Sequence, residues 1–238
     1  MQAIFGTLVG QDYDGSLVPA LAESWEIVDK TTLEFKLREG VQFHNGDPFN
    51  AEAVSFSIAR VLDEELNSGL RSYFTSIEEV VIVDDYTLRL ILNGPDGTIF
   101  GRLRSLYILP PGYVTEVGAA GVATDPVGTG PYRFVEWVSG DHVTLEANPD
   151  YWDGSFKGQP QIETLIFRPI TEASTRVAEL IAGGVDIIQD LPPDQIQAIE
   201  DAGRVTLSAV TPTLTYFLVT ADDPESPFND MRVRQAIN

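Results

Sequence analysis

Apolar positions along the first 150 residues follow two rhythms. Trp25 and Ile27 alternate with polar neighbours, Asp29-Lys30 supplies a turn, and Leu33, Phe35 and Leu37 then alternate with Glu34, Lys36 and Arg38. A period of two on both sides of a turn predicts a β-hairpin with one buried face. The run Val80 to Val83, the turn Asp84-Asp85 and the run Thr87 to Leu92 predict a second hairpin, in which Leu88, Leu90 and Leu92 share a face. A third runs from Tyr132 and Phe134 through Ser139-Gly140-Asp141 to Val143 and Leu145. Between the first two the rhythm changes. Val54, Ile58, Val61 and Leu62 recur at helical spacing, Asn50 stands where a cap belongs, and Glu52 falls in the first turn, where the helix dipole favours an acid.

From Ile162 onward strands and helices are expected to alternate. The pattern predicts a strand from Ile162 to Pro169, a helix from Glu172 to Ala182 stopped by Gly183-Gly184, and a short strand from Val185 to Ile188. Pro192-Pro193 then opens a helix to Ala202, Gly203 ends it, and Val205 to Val210 reads as a strand. Alternation of this kind implies helices layered on a sheet, an α/β arrangement. The change of texture falls at Val127-Gly128-Thr129-Gly130, which divides the chain into a hairpin-rich part, 1–127, and an α/β part, 128–238.

Composition narrows the function classes. The 238 residues are 43% hydrophobic, enough for a sizeable core, and carry 36 acidic against 15 basic side chains, a formal charge of -21. Such a field opposes nucleic acid and anionic lipid, so no nucleic-acid partner is expected. Only Lys30, Lys36 and Lys157 are lysines; the other basic residues are arginines, a bias that suits solubility in high salt. There is no cysteine, hence no disulfide, thiol nucleophile or cysteine-ligated metal. The apolar runs are far shorter than the roughly 20 residues that span a bilayer.

Catalytic signatures are sparse. The two histidines are His44 and His142, and no nucleophile elbow, zinc helix, P-loop or dinucleotide-binding turn is present. Ser139, Asp141 and His142 hold the residue types of a triad, but crowded into one turn they read as a solvated loop. Asp12-x-Asp14-Gly15 resembles the opening of a calcium loop, yet the later oxygen ligands are missing, and it reads as an Asp-Gly turn. No enzymatic activity, metal or cofactor is expected. Tyr73-Phe74, Tyr107 and Tyr216-Phe217 lie at loops or strand ends, as cleft-lining aromatics do, with core packing the plain alternative for each. In Thr211-Pro212-Thr213-Leu214-Thr215-Tyr216 the alternating hydroxyls point to one face, toward a polar ligand or toward solvent.

Six segments taken together become specific. LVPALAESWEI, TTLEFKLREGVQFHNGDPFNAEAVSFSIARVLD, VGTGPYRFVEW, EANPDYWDG, RVAELIAGGVDI and PFNDMRVRQAIN occur in this order over nearly the whole chain. In order and spacing it resembles the family 5 solute-binding proteins of ABC importers, the peptide- and nickel-binding group. The resemblance implies a periplasmic-binding-protein-like α/β fold of type II, in a large-lobe variant. This chain then supplies an incomplete first lobe, split into a hairpin-rich and an α/β subdomain, with the leader and the second lobe absent.

Further expectations follow from the resemblance. The function is capture of di- or oligopeptides outside the cytoplasmic membrane and delivery to ABC permease subunits. Nickel chelates or oligosaccharides are the alternative ligands, and a cleft hydrolase or a signalling receptor the alternatives of another class. The whole protein is expected to be a monomer, periplasmic or extracytoplasmic, with a lipoprotein anchor as one arrangement. The cleft is expected to use Thr213, Thr215 and Tyr216, with Phe74 and Tyr107 as walls and Arg104 as a carboxylate partner. His44 reads as structural. In peptide-binding relatives the acid that meets the peptide amino terminus comes from the second lobe.

Overall fold

The structure is a computed structural model that describes residues 2–12, 14–203 and 232–233. The chain divides into two units, Met1–Pro169 and Ile170–Asn238. In the first, a short hairpin of β1 (Val9–Gln11) and β2 (Leu17–Pro19) is followed by β3 (Ala22–Ile27) and β4 (Thr32–Leu37). Helix α1 (Ala51–Leu62) and the single turn α2 (Arg71–Phe74) precede β5 (Ile77–Asp84) and β6 (Thr87–Leu92). Helices α3 (Ile99–Leu103) and α4 (Pro111–Thr124) lead to β7 (Tyr132–Val138), β8 (His142–Ala147) and β9 (Thr164–Phe167).

All three expected hairpins form. The first two interleave into one antiparallel sheet of order β3-β4-β6-β5, in which Phe35 stands opposite both Trp25 and Leu88. Leu33, Phe35, Leu37, Leu88, Leu90 and Leu92 all point into the core, as a period of two requires. Against that face α1 lays Ala53, Val54, Ile58 and Val61. Its start is fixed by the Asn50 side chain, which accepts a hydrogen bond from the Ala53 N–H at 3.1 Å. Each fully buried side chain such as Phe35, Phe49 or Phe74 contributes about 1.5–3 kcal/mol.

The third hairpin joins β9 in a separate antiparallel sheet of order β7-β8-β9. Tyr132 and Leu145 from this sheet form a second core with Ile4, Phe5, Leu109 and Val114. Toward the other end of the sheet the burial fails: Trp137 and Phe167 are each 54% exposed. The texture change at Val127–Gly130 is therefore a passage from one sheet to the next inside the first unit, and the division into units comes later, after Pro169.

The second unit holds α5 (Ala173–Ala182), closed by Gly183 at φ +80°, then a 3-10 turn at Pro193–Gln195 and α6 (Ile196–Asp201). Val177, Leu180 and Ile199 form its core. Two expectations are corrected here. The segment Val185–Ile188 is not a strand: no described strand pairs with it, and Val185 and Ile188 pack on the helical cluster instead. The helix expected directly after Pro192-Pro193 begins with the 3-10 turn Pro193–Gln195, and the α-helical part starts only at Ile196. The strand expected at Val205–Val210 lies outside the described residues.

Candidate functional site

The sequence-predicted site residues fall into three groups. Phe74 is a correction: its side chain is fully buried in the main core, so it presents no surface to a ligand. The period of α2, a single turn, is too short to have shown which way this ring faces. Thr213, Thr215 and Tyr216 lie outside the described residues. Arg104 and Tyr107 are partly exposed and stand on one segment, the crossing from Leu103 to Leu109 that follows α3.

This crossing is held from below by its apolar members. Leu103, Leu106 and Ile108 are fully buried, which leaves Arg104 and Tyr107 to face outward in part. Ile108 donates its N–H to the Gly6 carbonyl at 3.0 Å, which draws the crossing alongside residues 3–6. Tyr107 then rests on Phe5 with ring centroids 5.4 Å apart and planes tilted by 33°. Burial of its ring pushes the Tyr107 hydroxyl above the ordinary phenol range, so it is a neutral donor at any physiological pH. Arg104 donates from Nε to the Gly101 carbonyl at 3.0 Å and from Nη1 to the Gln11 amide oxygen. Both of these acceptors are neutral, and a ligand carboxylate is a better partner for a guanidinium than either.

Gln11 was not among the expected site residues. It reaches Arg104 because the loop between β1 and β2 folds tightly: Gly15 takes φ +89°, the Asp14 carboxylate accepts the Ser16 N–H at 2.8 Å, and Gln11 donates to the Gly15 carbonyl at 2.9 Å. Hydrogen bonds from Ser16, side chain first, hold the Asp14 carboxyl below its ordinary range. Asp12-x-Asp14-Gly15 is thus an Asx-type turn whose Asp14 carboxylate is engaged by its own backbone. Among the described residues no group of three or more His, Cys, Asp or Glu is placed to hold a metal ion.

Behind the crossing lies a second device. Residues 3–6 are flanked on their other side by Val127–Gly130: Gly130 donates its N–H to the Ile4 carbonyl at 2.8 Å, and Tyr132 donates to the Ala3 carbonyl at 3.0 Å. The approach is so close that a Cβ on Gly128 would sit 2.2 Å from the Ile4 oxygen, and one on Gly130 the same distance from the Ala3 oxygen. His44 closes the far side, with Nε2 3.0 Å from the Gly130 carbonyl, Nδ1 3.4 Å from the Gly128 nitrogen, and its own N–H donated to the Gly128 carbonyl at 2.9 Å. Desolvation holds its pKa below the ordinary value of 6.5, with the Arg133 charge acting in the same sense.

The other histidine is differently placed. His142 Nδ1 lies 2.9 Å from Asp141 and Nε2 3.3 Å from Glu136, so both ring nitrogens face carboxylates and neither is offered to the Ser139 hydroxyl. That geometry is a charge clamp on a hairpin, not a nucleophile–base pair. A shallow concavity of about 340 Å³ adjoins it, lined by Trp137, Val138, His142, Val143, Phe167 and Pro169. Neither Arg104 nor Tyr107 lines it.

Three antiparallel sheets, the β1-β2 hairpin and the two larger ones, with helices packed against the four-stranded sheet, make a mixed helix-and-strand frame that solved periplasmic binding proteins share. Among solved structures, AgaA from A. tumefaciens R10, in complex with agropinic acid, superposes with a TM-score of 0.78 at 30% identity, over 84% of this chain and 40% of that one. AppA from Bacillus subtilis, in complex with a nonapeptide, superposes at 0.76 and 28%, over 84% and 40%. NikZ from Campylobacter jejuni, in complex with Ni(L-His), matches equally at 0.76 and 28%, over the same shares. Among curated relatives, glutathione-binding protein GsiB of Pectobacterium atrosepticum is 31% identical over the full length of this chain and 46% of its own. GsiB of Escherichia coli K12 is 27% identical over the same shares. Residues 16–238 match the family described as bacterial extracellular solute-binding proteins, family 5 middle, and the chain belongs to that family. It spans about half the length of the curated relatives it matches, 46%. Among the described residues no helix is long and apolar enough to cross a membrane.

Proposed function

We propose that the whole protein is the solute-binding component of an ABC importer that captures short peptides outside the cytoplasmic membrane and passes them to membrane permease subunits. Membership of family 5 over residues 16–238 carries the receptor role. What supports peptides is the character of the relatives, glutathione-binding GsiB and nonapeptide-bound AppA, together with a partly exposed guanidinium and phenol on one segment. In this reading Arg104 takes a ligand carboxylate, exchanging neutral acceptors for a charged one, and Tyr107 gives an aromatic wall backed by Phe5. Thr213, Thr215 and Tyr216 add hydroxyl partners from the α/β part. The protein works as a binder and not as a catalyst, as a monomer, with the remaining contacts supplied by residues beyond this chain. Closure around the ligand is favoured only by contacts stronger in the closed state.

Titration calorimetry of the full-length product with di- to hexapeptides and glutathione tests the proposal. Saturable heat with peptides is the expected result. Heat with oligosaccharides or nickel chelates alone would remove the peptide assignment, and turnover of any of these solutes would remove the receptor role.

A further inference from the structure

The contacts of His44 leave no choice of tautomer. The Gly130 carbonyl can only accept, so Nε2 carries the proton; the Gly128 N–H can only donate, so Nδ1 is bare. A second proton on Nδ1 would set two donors against each other at 3.4 Å. One neighbouring cation makes that proton still less welcome, and the carboxylates that could favour it are engaged by other partners. Arg133, on β7, repels it. From its own loop Asp47 is bonded to Asn45, and beyond β8 Asp150 is paired with Arg133. No charged residue lies within Val127–Gly130 itself.

We infer that His44 is a proton-operated latch on the Val127–Gly130 crossing, closed while the ring is neutral and opened when Nδ1 is protonated. The consequence passes through named bonds. Gly128 packs closely against the Ile4 carbonyl, the Gly130 and Tyr132 N–H groups hold residues 3–6 by hydrogen bonds to the Ile4 and Ala3 carbonyls, and residues 3–6 hold Tyr107 through Phe5 and Ile108 through the Gly6 carbonyl. Opening the latch therefore loosens the layer on which the Arg104–Tyr107 segment rests. His44 acts on that segment as a positioning residue, without touching a ligand. For ligand release this rests on the function proposed above, and acid then becomes a release signal.

The test is native-state hydrogen exchange of the full-length product, with rates corrected for intrinsic chemistry, comparing wild type with His44→Gln. A glutamine offers Nε2 to the Gly130 carbonyl and Oε1 to the Gly128 N–H, and does not titrate. Between about pH 7.5 and a pH below the folded-state pKa of the ring, located first by nitrogen-15 titration, the Gly128, Gly130 and Tyr132 amides are expected to lose roughly tenfold or more of their protection in wild type, while β4 and β6 amides change little. H44Q is expected to stay protected throughout. Loss shared equally by β4 and β6, or an equal loss in H44Q, overturns the latch. If H44Q does not fold, nitrogen-15 spectra of the wild-type ring decide: a ring that is cationic or carries its proton on Nδ1 at neutral pH overturns it. Glutathione and dipeptide titrations at the same two pH values separate the two ideas. An intact exchange switch without peptide binding refutes the function and spares the latch, and binding without the switch does the reverse.

Discussion

The Ser57 hydroxyl joins α1 to the end of the Leu103–Leu109 crossing, donating to the Ala53 carbonyl at 2.7 Å and accepting the Leu109 N–H at 3.0 Å. Both ends of this bridge are buried. Ser57 is 2% exposed and sits on the core face of a helix, where a hydroxyl is out of place unless it satisfies a partner. Here it satisfies a backbone N–H that has left regular structure.

Ser57→Ala leaves the Leu109 amide buried without an acceptor. A loss of about 1–3 kcal/mol in urea unfolding is expected, larger than a surface Ser→Ala change would give. A variant as stable as wild type would show that another acceptor replaces the hydroxyl.

Gly128→Ala and Gly130→Ala each force a Cβ to within 2.2 Å of a carbonyl oxygen of residues 3–6. Backbone cannot step aside as a flexible side chain can, so each is expected to cost about 1–3 kcal/mol or more. Gly140→Ala is a useful contrast, for nothing lies within 4 Å of its Cβ and only its φ of +78° opposes the change. Thermal unfolding of the three variants side by side tests the ranking.

Phe74 and Arg104 separate core packing from the proposed binding role. Phe74→Ala empties part of the main core and is expected to cost about 3–5 kcal/mol of stability. On the proposed function, Arg104→Gln is expected to weaken peptide binding by about 10- to 100-fold with stability nearly unchanged, since a charged hydrogen bond is lost. Calorimetry and urea unfolding on the same preparations read both effects. Unaltered affinity in R104Q would remove Arg104 from the site.

The pKa values of the two histidines are shifted in opposite directions. The pKa of His44 is lowered, chiefly by desolvation, so its contribution to stability is complete above the unfolded value near 6.5 and is lost as pH falls through the lower, folded value. The pKa of His142 is raised, first by the Asp141 hydrogen bond and then by Glu136, so its contribution is present below the unfolded value and lost as pH rises through the folded one. Ring-proton titration by NMR is expected to place His142 above 6.5 and His44 below it, with His142→Gln removing part of the stability at acid pH. A reversed order would contradict the environments described.

Lys157 differs from the other two lysines. The residue as a whole is exposed, but its amine is drawn to the Gln2 carbonyl at 2.6 Å beside the Phe156 ring, and desolvation lowers its pKa to about 8. The neutral amine is the nucleophile, so limited acylation near that pH is expected to label Lys157 before Lys30 and Lys36. Peptide mapping by mass spectrometry reads the order directly.

Much of this molecule is legible from local pattern. The alternation Leu33, Phe35, Leu37 and Leu88, Leu90, Leu92 determined the strands and their buried faces, and Asn50 with its apolar helical spacing determined α1, because period and capping are properties of neighbours along the chain. The ordered motifs were enough to indicate the family. What the sequence left open are distances between remote residues. That Phe74 turns wholly inward while Tyr107 stays partly exposed depends on how α2 and the crossing meet the sheet. Gln11 meets Arg104, and His44 grips Gly128 and Gly130, across separations of more than 80 residues. Such pairings carry no periodicity. Tertiary structure alone decided them, because closing so long a loop is repaid only when many buried contacts form together.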